Sequence, residues 1–117
     1  MSDAGNSPAH GPFLRRSGDI LGFWCPGCKC LHILTCYGNN PGPRWAFDEN
    51  LEAPTFAPSV LVTRPESPYH PREDHRTTKT LCHLFVRAGR IEFLSDSAHA
   101  LAGQTVPMEP IPEDYGF

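Results

Sequence analysis

The stretch FWCPGCKCLH, at residues 23–32, decides the fold that the sequence predicts. Within it, Cys25-Pro26-Gly27-Cys28 sets two thiols on either side of a Pro-Gly turn. Proline presets φ at the first turn position, and glycine accepts positive φ at the second. The two sulfurs then converge, and nearby backbone amides can donate hydrogen bonds to them. Because this spacing matches the first half of many structural zinc sites, the stretch predicts a small domain built around a zinc ion.

A redox-active cysteine pair is the alternative interpretation of the same motif. In a thioredoxin-like pair, a helix following the motif lowers the pKa of one thiol. Here the next residues, CLHILTCY at 30–37, are rich in apolar and β-branched side chains and predict a strand. The sequence therefore favours a metal knuckle over a redox pair.

Length and composition limit the chain to a small domain rich in turns. Its 117 residues fit one domain. Thirteen prolines and ten glycines favour short strands and loops over long helices. No apolar run approaches the roughly 20 residues that span a membrane, and the N-terminus lacks the pattern of a signal peptide. We therefore expect a cytoplasmic protein of a bacterial host, in which the five cysteines are thiols or metal ligands.

The charge pattern bears on the class of partner. The net charge is −3, acidic and basic residues are mixed along the chain, and no lysine-rich run is present. A nucleic-acid-binding surface needs a clustered positive charge. We therefore expect a protein partner and no nucleic-acid partner.

The chain divides by composition into three parts. Residues 1–18 are small, polar and proline-bearing, and predict a flexible N-terminal arm. Residues 19–106 predict a zinc-binding β domain, within which residues 64–80 form an exposed, charged insertion. Residues 107–117 predict a proline-rich acidic tail.

The predicted fold class is mainly β with one short helix, as a small zinc-ribbon-like β-hairpin domain rich in loops. Its clearest hairpin has strands at 81–87 and 90–94, joined by Ala88-Gly89, where glycine takes the positive φ of a tight turn. The short helix is predicted over residues 95–103. Ser95 or Asp96 would cap this helix at its start, and Gly103 would end it.

The remaining zinc ligands are expected at the open end of this hairpin. The candidate ligands and their neighbours there are Cys82, His83, Asp96 and His99. Since successive residues of a regular strand point to opposite faces, only one of Cys82 and His83 faces the metal unless the strand bulges. The predicted site is Cys25, Cys28 and Cys82, completed by His83 or His99. Asp96 would then hold the ligating imidazole by a hydrogen bond.

Other polar and sulfur-bearing residues near the knuckle receive ordinary interpretations. His32 faces the same side of its strand as Cys30 and Leu34. One interpretation places it in a pocket beside the metal; the favoured one is an ordinary hydrogen-bonded histidine. Cys30 and Cys36 are interpreted as small side chains that fill the strand's surroundings.

Three segments resemble those of a family of small phage and prophage proteins of unknown function, often labelled as ammonia monooxygenase. The segments are the knuckle at 25–28, the PTFAPS stretch at 54–59 and DSAHALAGQT at 96–105. The resemblance spans roughly residues 22–106 and implies a small zinc-binding protein. The monooxygenase label does not suit a chain without predicted membrane spans.

A looser resemblance reaches bacterial proteins found alongside ubiquitin-like conjugation genes. These proteins have a cysteine pair, a P-S-x strand and a late Cys/His pair. Their late histidine matches His83, which implies His83 as the fourth ligand, whereas hairpin geometry favours His99. Both remain candidates at this point.

Two functions compete on these features. The first is a non-catalytic zinc-binding accessory protein of phage or prophage origin that binds a protein partner, since a closed Cys-rich site leaves no position for water. The second is a small zinc-dependent hydrolase or deaminase-like enzyme with Asp96 as general base. Its support is that His32, His83, Asp96 and His99 exceed what one closed site needs. The sequence favours the first.

Overall fold

Two antiparallel sheets share one core in the structure, a computed structural model that describes residues 9–39, 41–65 and 78–113. The first sheet has four strands in the order β1-β2-β3-β4, and the second has five in the order β5-β6-β7-β8-β9. The strands are β1 (Ala9–His10), β2 (Leu14–Ser17), β3 (Ile20–Cys25), β4 (Cys30–Thr35), β5 (Ala46–Phe47), β6 (Phe56–Pro65), β7 (Thr78–Arg87), β8 (Arg90–Phe93) and β9 (Thr105–Pro107). The mainly β prediction is confirmed.

The core lies between the two sheets and is built from alternate residues of the central strands. In β3 the inward residues are Leu21, Phe23 and Cys25, all fully buried. In β7 they are Cys82, Leu84 and Val86, each at most 1% exposed. The rings of Phe23 and Phe56 stack across the interface with centroids 6.2 Å apart. Because side chains alternate along a strand, the residues between these core positions face outward.

The predicted short helix at 95–103 is wrong. Within the described part of the chain no residue is helical, and this segment is a series of turns. The amide of Ala98 donates to the carbonyl of Leu81 (3.0 Å), and that of Gly103 donates to the carbonyl of Phe93 (3.0 Å). Since these amides bond to neighbouring strands, they are not available to a helical ladder.

The structure also differs from the predicted flexible arm over residues 9–17. Strand β2 pairs with β3 through the tight turn at Gly18, whose φ is +59°. Leu14 is 2% exposed and belongs to the core. The free energy gained by burying the Leu14 side chain favours a folded strand here, although the polar, proline-bearing composition predicted a flexible arm.

The other predicted boundaries also shift at their edges. Strands β6 and β7 extend into the predicted insertion, with Arg64 paired to Lys79 and Pro65 to Thr78. Residues 66–77 of that insertion, like residues 1–8 and 114–117, lie outside the described residues. The predicted tail begins inside the fold, because Met108 is 5% exposed and its amide donates to the carbonyl of Gly89 (3.0 Å).

The hairpin between β7 and β8 has the predicted turn. Ala88 and Gly89 both have positive φ, +49° and +78°, and Arg87 pairs with Arg90. In the residues that the structure covers, no helix is long and apolar enough to cross a membrane.

Replacing Leu14 by Ala tests whether β2 belongs to the core. The change should lower the free energy of unfolding by about 2–5 kcal/mol, as is typical when a buried leucine is truncated. Ser17→Ala, at the exposed end of the same strand, is the matched control and should change it by less than about 0.5 kcal/mol. Denaturant unfolding measures both. Equal stabilities of the two variants would contradict the packing of β2 described above.

Candidate functional site

A cysteine knuckle closes the β3–β4 hairpin. Cys25 ends β3 and pairs with Cys30 at the start of β4. The amide of Cys28 donates to the sulfur of Cys25 (3.3 Å), and the amide of Lys29 donates to the Cys25 carbonyl (2.7 Å). The left-handed residue is Lys29, with φ +56°, and not Gly27 as predicted from the turn. The knuckle thus directs two sulfurs toward the core.

The second sheet brings a third sulfur to the knuckle. Cys82 lies on β7, is fully buried, and has its Sγ 3.9 Å from that of Cys25. The ligand atoms of Cys25, Cys28, His32 and Cys82 all lie within 4.8 Å of one another. These four residues, called here the metal group, could hold a metal ion. Three thiols and one imidazole are the donor set that suits zinc.

His32 provides an independent test of that fit. Its Nε2 atom is buried and has no hydrogen-bond partner among the described residues. A buried, unpaired imidazole nitrogen raises the free energy of the folded state by about 1–3 kcal/mol. An ion bound to this nitrogen would remove that cost, so the residues present fit a metal.

The three thiols influence one another strongly without a cation. A hydrogen bond donated by Cys82 lowers the pKa of Cys25 to about 4, against the opposing effect of burial. Burial, and then the negative charge of Cys25, raises the pKa of Cys28 to about 11. The hydrogen bond to Cys25, together with burial, raises the pKa of Cys82 as well. All three sulfurs can be thiolates together only if a cation offsets their mutual repulsion.

His99 lies beside the metal group but in a different role from the one predicted. Its Nδ1 accepts a hydrogen bond from the amide of Leu101 (3.2 Å), and its Nε2 lies 3.3 Å from the sulfur of Cys82. In a neutral ring whose Nδ1 accepts, the proton is on Nε2, which then donates to Cys82. In this tautomer His99 donates to a cysteine of the group, and its lone pair faces the amide of Leu101. Its ring packs against Phe93 with centroids 4.7 Å apart.

The structure does not bring His83 to the metal group. Its ring lies on the outward face of β7, where Nε2 is 3.3 Å from the hydroxyl of Ser59 on β6. Its Nδ1 is 3.1 Å from one carboxylate oxygen of Asp96 and 3.3 Å from the other. Since the carboxylate accepts the Nδ1 proton, the Nε2 lone pair faces the serine. Serine, imidazole and carboxylate thus form a linear hydrogen-bonded array.

The array is held by backbone contacts on each side. The hydroxyl of Ser97 accepts from the His83 amide (3.0 Å) and donates to the His83 carbonyl (3.0 Å). The indole Nε1 of Trp45 donates to the carbonyl of Ser59 (3.2 Å). Ser59 lies within an irregularity in the β6–β7 register between Phe56 and Val60, a local departure of the kind that re-aims side chains near functional sites.

A serine, a histidine and an aspartate hydrogen-bonded in this order form the arrangement of serine hydrolases. The family model described as "Bacterial ubiquitination-like system serine protease (BubE)" matches residues 6–94, most of the chain. The chain belongs to the BubE family. Neither the curated proteins nor the solved structures contain a match.

Membership of the BubE family corrects the predicted function. A non-catalytic accessory module of phage origin, with a zinc-dependent hydrolase as its alternative, was expected, and that prediction is wrong because the family is one of serine proteases. The match supports a small bacterial family. It agrees with the looser of the two resemblances, to proteins encoded beside ubiquitin-like conjugation genes.

Two residues of this BubE family chain, Ser59 and His32, are not identified as functional from the sequence alone. Ser59 received no role, although PTFAPS was recognised as a distinctive stretch. The alternation along β7, which sets Cys82 and His83 on opposite faces, was the signal that a second site faces outward. His32 was interpreted as an ordinary histidine, although it follows Cys28 by four residues and faces the core side of β4.

Cobalt binding distinguishes the roles of His32 and His99. Co²⁺ should bind one ion per chain, and His32→Ala should weaken its affinity more than about 100-fold, because a ligand is lost. His99→Ala should weaken it by about 10–100-fold, as is typical of residues that hold a ligand, and leave the Co²⁺ absorption spectrum unchanged. Cys36→Ser, outside the metal group, is the control and should leave the affinity unchanged.

Competition with a coloured chelator measures these affinities, and absorption spectra report the ligand set. A spectrum that changes in His99→Ala and stays unchanged in His32→Ala would show that the two roles are reversed.

Proposed function

We propose that this chain is a serine protease in which Ser59 is the nucleophile, His83 the general base and Asp96 the group that orients the imidazole. The observation that carries the proposal is the Asp96–His83–Ser59 hydrogen-bonded array, with distances of 3.1 and 3.3 Å. Family membership supports the same reaction class. The Ser59–His83 distance is slightly long for a strong hydrogen bond, as is common before substrate binds.

The reaction follows from these positions. The Oγ of Ser59 attacks the carbonyl carbon of a peptide bond while Nε2 of His83 removes its proton. His83 then gives that proton to the nitrogen of the leaving amine, and an ester on Ser59 remains. Water, deprotonated by His83, attacks the ester carbon; the Oγ of Ser59 leaves, takes the proton back from His83, and the acid is released. Asp96 stays ionised throughout and stabilises the imidazolium through the Nδ1 hydrogen bond.

The location of the array is suited to an incoming chain. The side chain of Asp96 is 54% exposed and that of His83 is 25% exposed, so the array is open to solvent. The outward face of β6 and β7 has no other sheet packed on it among the described residues. A polypeptide segment can therefore approach Ser59 from outside the domain.

The metal group is proposed to hold zinc in a structural role. Four protein donors complete a tetrahedral sphere and leave no position for a water molecule, which is the pattern of structural zinc sites. When bound, zinc would supply a cross-link between the β3–β4 hairpin and β7 and would keep the three sulfurs as thiolates. The proposed chemistry at Ser59 uses no metal.

The substrate is proposed to be a protein of a ubiquitination-like system. The description of the BubE family names such a system, and a protease within it must act on polypeptide. We therefore also propose a protein partner, bound at the outward face that carries Ser59.

Labelling with a fluorophosphonate tests the nucleophile without knowledge of the substrate. The Ser59 Oγ attacks phosphorus, fluoride leaves, and the serine proton passes to His83. Wild-type protein should take one label per chain, at Ser59, and Ser59→Ala should take none. Intact-mass and peptide mass spectrometry measure both.

Ser95→Ala is the matched control, because Ser95 is exposed and lies next to Asp96 without belonging to the array. It should be labelled at the wild-type rate. Folded, metal-loaded wild-type protein that takes no label, or takes it at a residue other than Ser59, would overturn the proposed function.

A further inference from the structure

One exposed aliphatic side chain stands beside the proposed catalytic array. Among the described residues two large apolar side chains are more than half exposed, Leu61 at 53% and Ile33 at 51%. Ile33 lies on the first sheet, whereas Leu61 lies on β6, two residues after Ser59. Single exposed apolar residues are common on protein surfaces, so position and not exposure carries the argument.

The register of the sheet fixes the position of Leu61. It is paired directly with His83 across the β6–β7 ladder. Directly opposed residues point to the same face, with Cβ atoms about 4.5–5.5 Å apart. Two residues along a strand separate Leu61 from Ser59 by about 7 Å. Leu61 therefore stands next to the imidazole, on the face from which substrate must approach.

Several other polar and aromatic side chains on this face are engaged with one another. Phe85, the next outward residue of β7 after His83, has the guanidinium of Arg87 over its ring at 4.1 Å. Arg87 also donates to the carboxylate of Glu92 (3.1 Å). Asp96 accepts from His83. Among the described residues, Leu61 is the large apolar side chain on this face that is more than half exposed.

The proton transfer from His83 to the leaving group determines which part of the substrate lies over the imidazole. His83 must give its proton to the departing nitrogen, so the leaving group sits close to Nε2. Leu61 lies beside that ring. A side chain attached to the departing amine would therefore contact Leu61.

We propose that Leu61 forms an apolar subsite for the leaving group, so that the enzyme prefers an amine carried by an aliphatic residue. This inference rests on the proposed function and adds its selectivity. An apolar pocket discriminates by about 10–200-fold per added methylene group at most, so a single exposed leucine should give selectivity near the lower end of that range.

The partitioning of an acyl-enzyme between competing amines tests the leaving-group subsite separately from the nucleophile. p-Nitrophenyl acetate acetylates Ser59 and releases p-nitrophenol. Added amino-acid amides then compete with water for the ester. The amine nitrogen attacks the acetyl carbon and gives a proton to His83, and Ser59 Oγ leaves and receives that proton. Wild-type protein should form acetyl-leucinamide about 10-fold faster than acetyl-alaninamide at equal concentrations, measured by mass spectrometry.

Leu61→Ala should reduce this ratio to about 2 or less. The two amides compete for the same acetyl-enzyme, so the ratio does not depend on how fast that acetyl-enzyme forms. Ile33→Ala, which removes the other exposed aliphatic side chain, is the matched control and should keep the wild-type ratio.

The outcomes separate the two proposals. Turnover no faster than that of Ser59→Ala would overturn the proposed function, and the subsite with it. Turnover that depends on Ser59 but shows equal partitioning to both amides, or a ratio unchanged in Leu61→Ala, would overturn the subsite and leave the protease intact.

Discussion

The alternation of side chains along β7 is the constraint on which both sites depend. Cys82 and His83 are consecutive, so the strand sends one inward and the other outward. The sulfur of Cys82 meets Cys25 of the first sheet inside the core, and the imidazole of His83 meets Ser59 on the outer face. Contacts that fix the backbone position of Cys82 therefore also fix the backbone position from which the His83 side chain extends.

The turn segment after β8 also contributes one side chain to each of the two sites. Asp96 bonds to His83 on the outer face, and His99, three residues later, bonds to the sulfur of Cys82. Between them Ser97 bonds both backbone groups of His83. A domain of this size has a modest apolar core, and in such domains metal-binding free energy contributes directly to folding. The proposed structural zinc would thus also stabilise the geometry of the array.

Local features of the sequence were sufficient for some elements. The Cys25–Cys28 knuckle and the Ala88-Gly89 hairpin depend on neighbouring residues alone, and both could be predicted. From the alternation of side chains along β7 it could also be predicted that Cys82 and His83 do not both face one metal. The predicted helix at 95–103 is wrong because the amides of Ala98 and Gly103 bond to strands β7 and β8, and those of Ser97 and Ala102 close local turns.

The composition of the sites depends on contacts between segments far apart in the chain. Ser59 meets His83 only through a strand register that shifts after Phe56, and prolines in this segment obscure its strand periodicity. Cys82 joins the metal group only when the two sheets pack. Since His32 lies within the metal group, four candidate donors are present without His83 or His99, which the sequence alone could not establish.

The measurement that tests this account most directly is the rate of fluorophosphonate labelling at Ser59 as zinc is removed and restored. Zinc content is followed by elemental analysis, and labelling by mass spectrometry. Labelling should fall with zinc content, reach the level of Ser59→Ala in metal-free protein, and recover when zinc is returned. Metal-free protein that takes the label at the rate of the zinc-loaded protein would contradict the dependence of the array on the metal group.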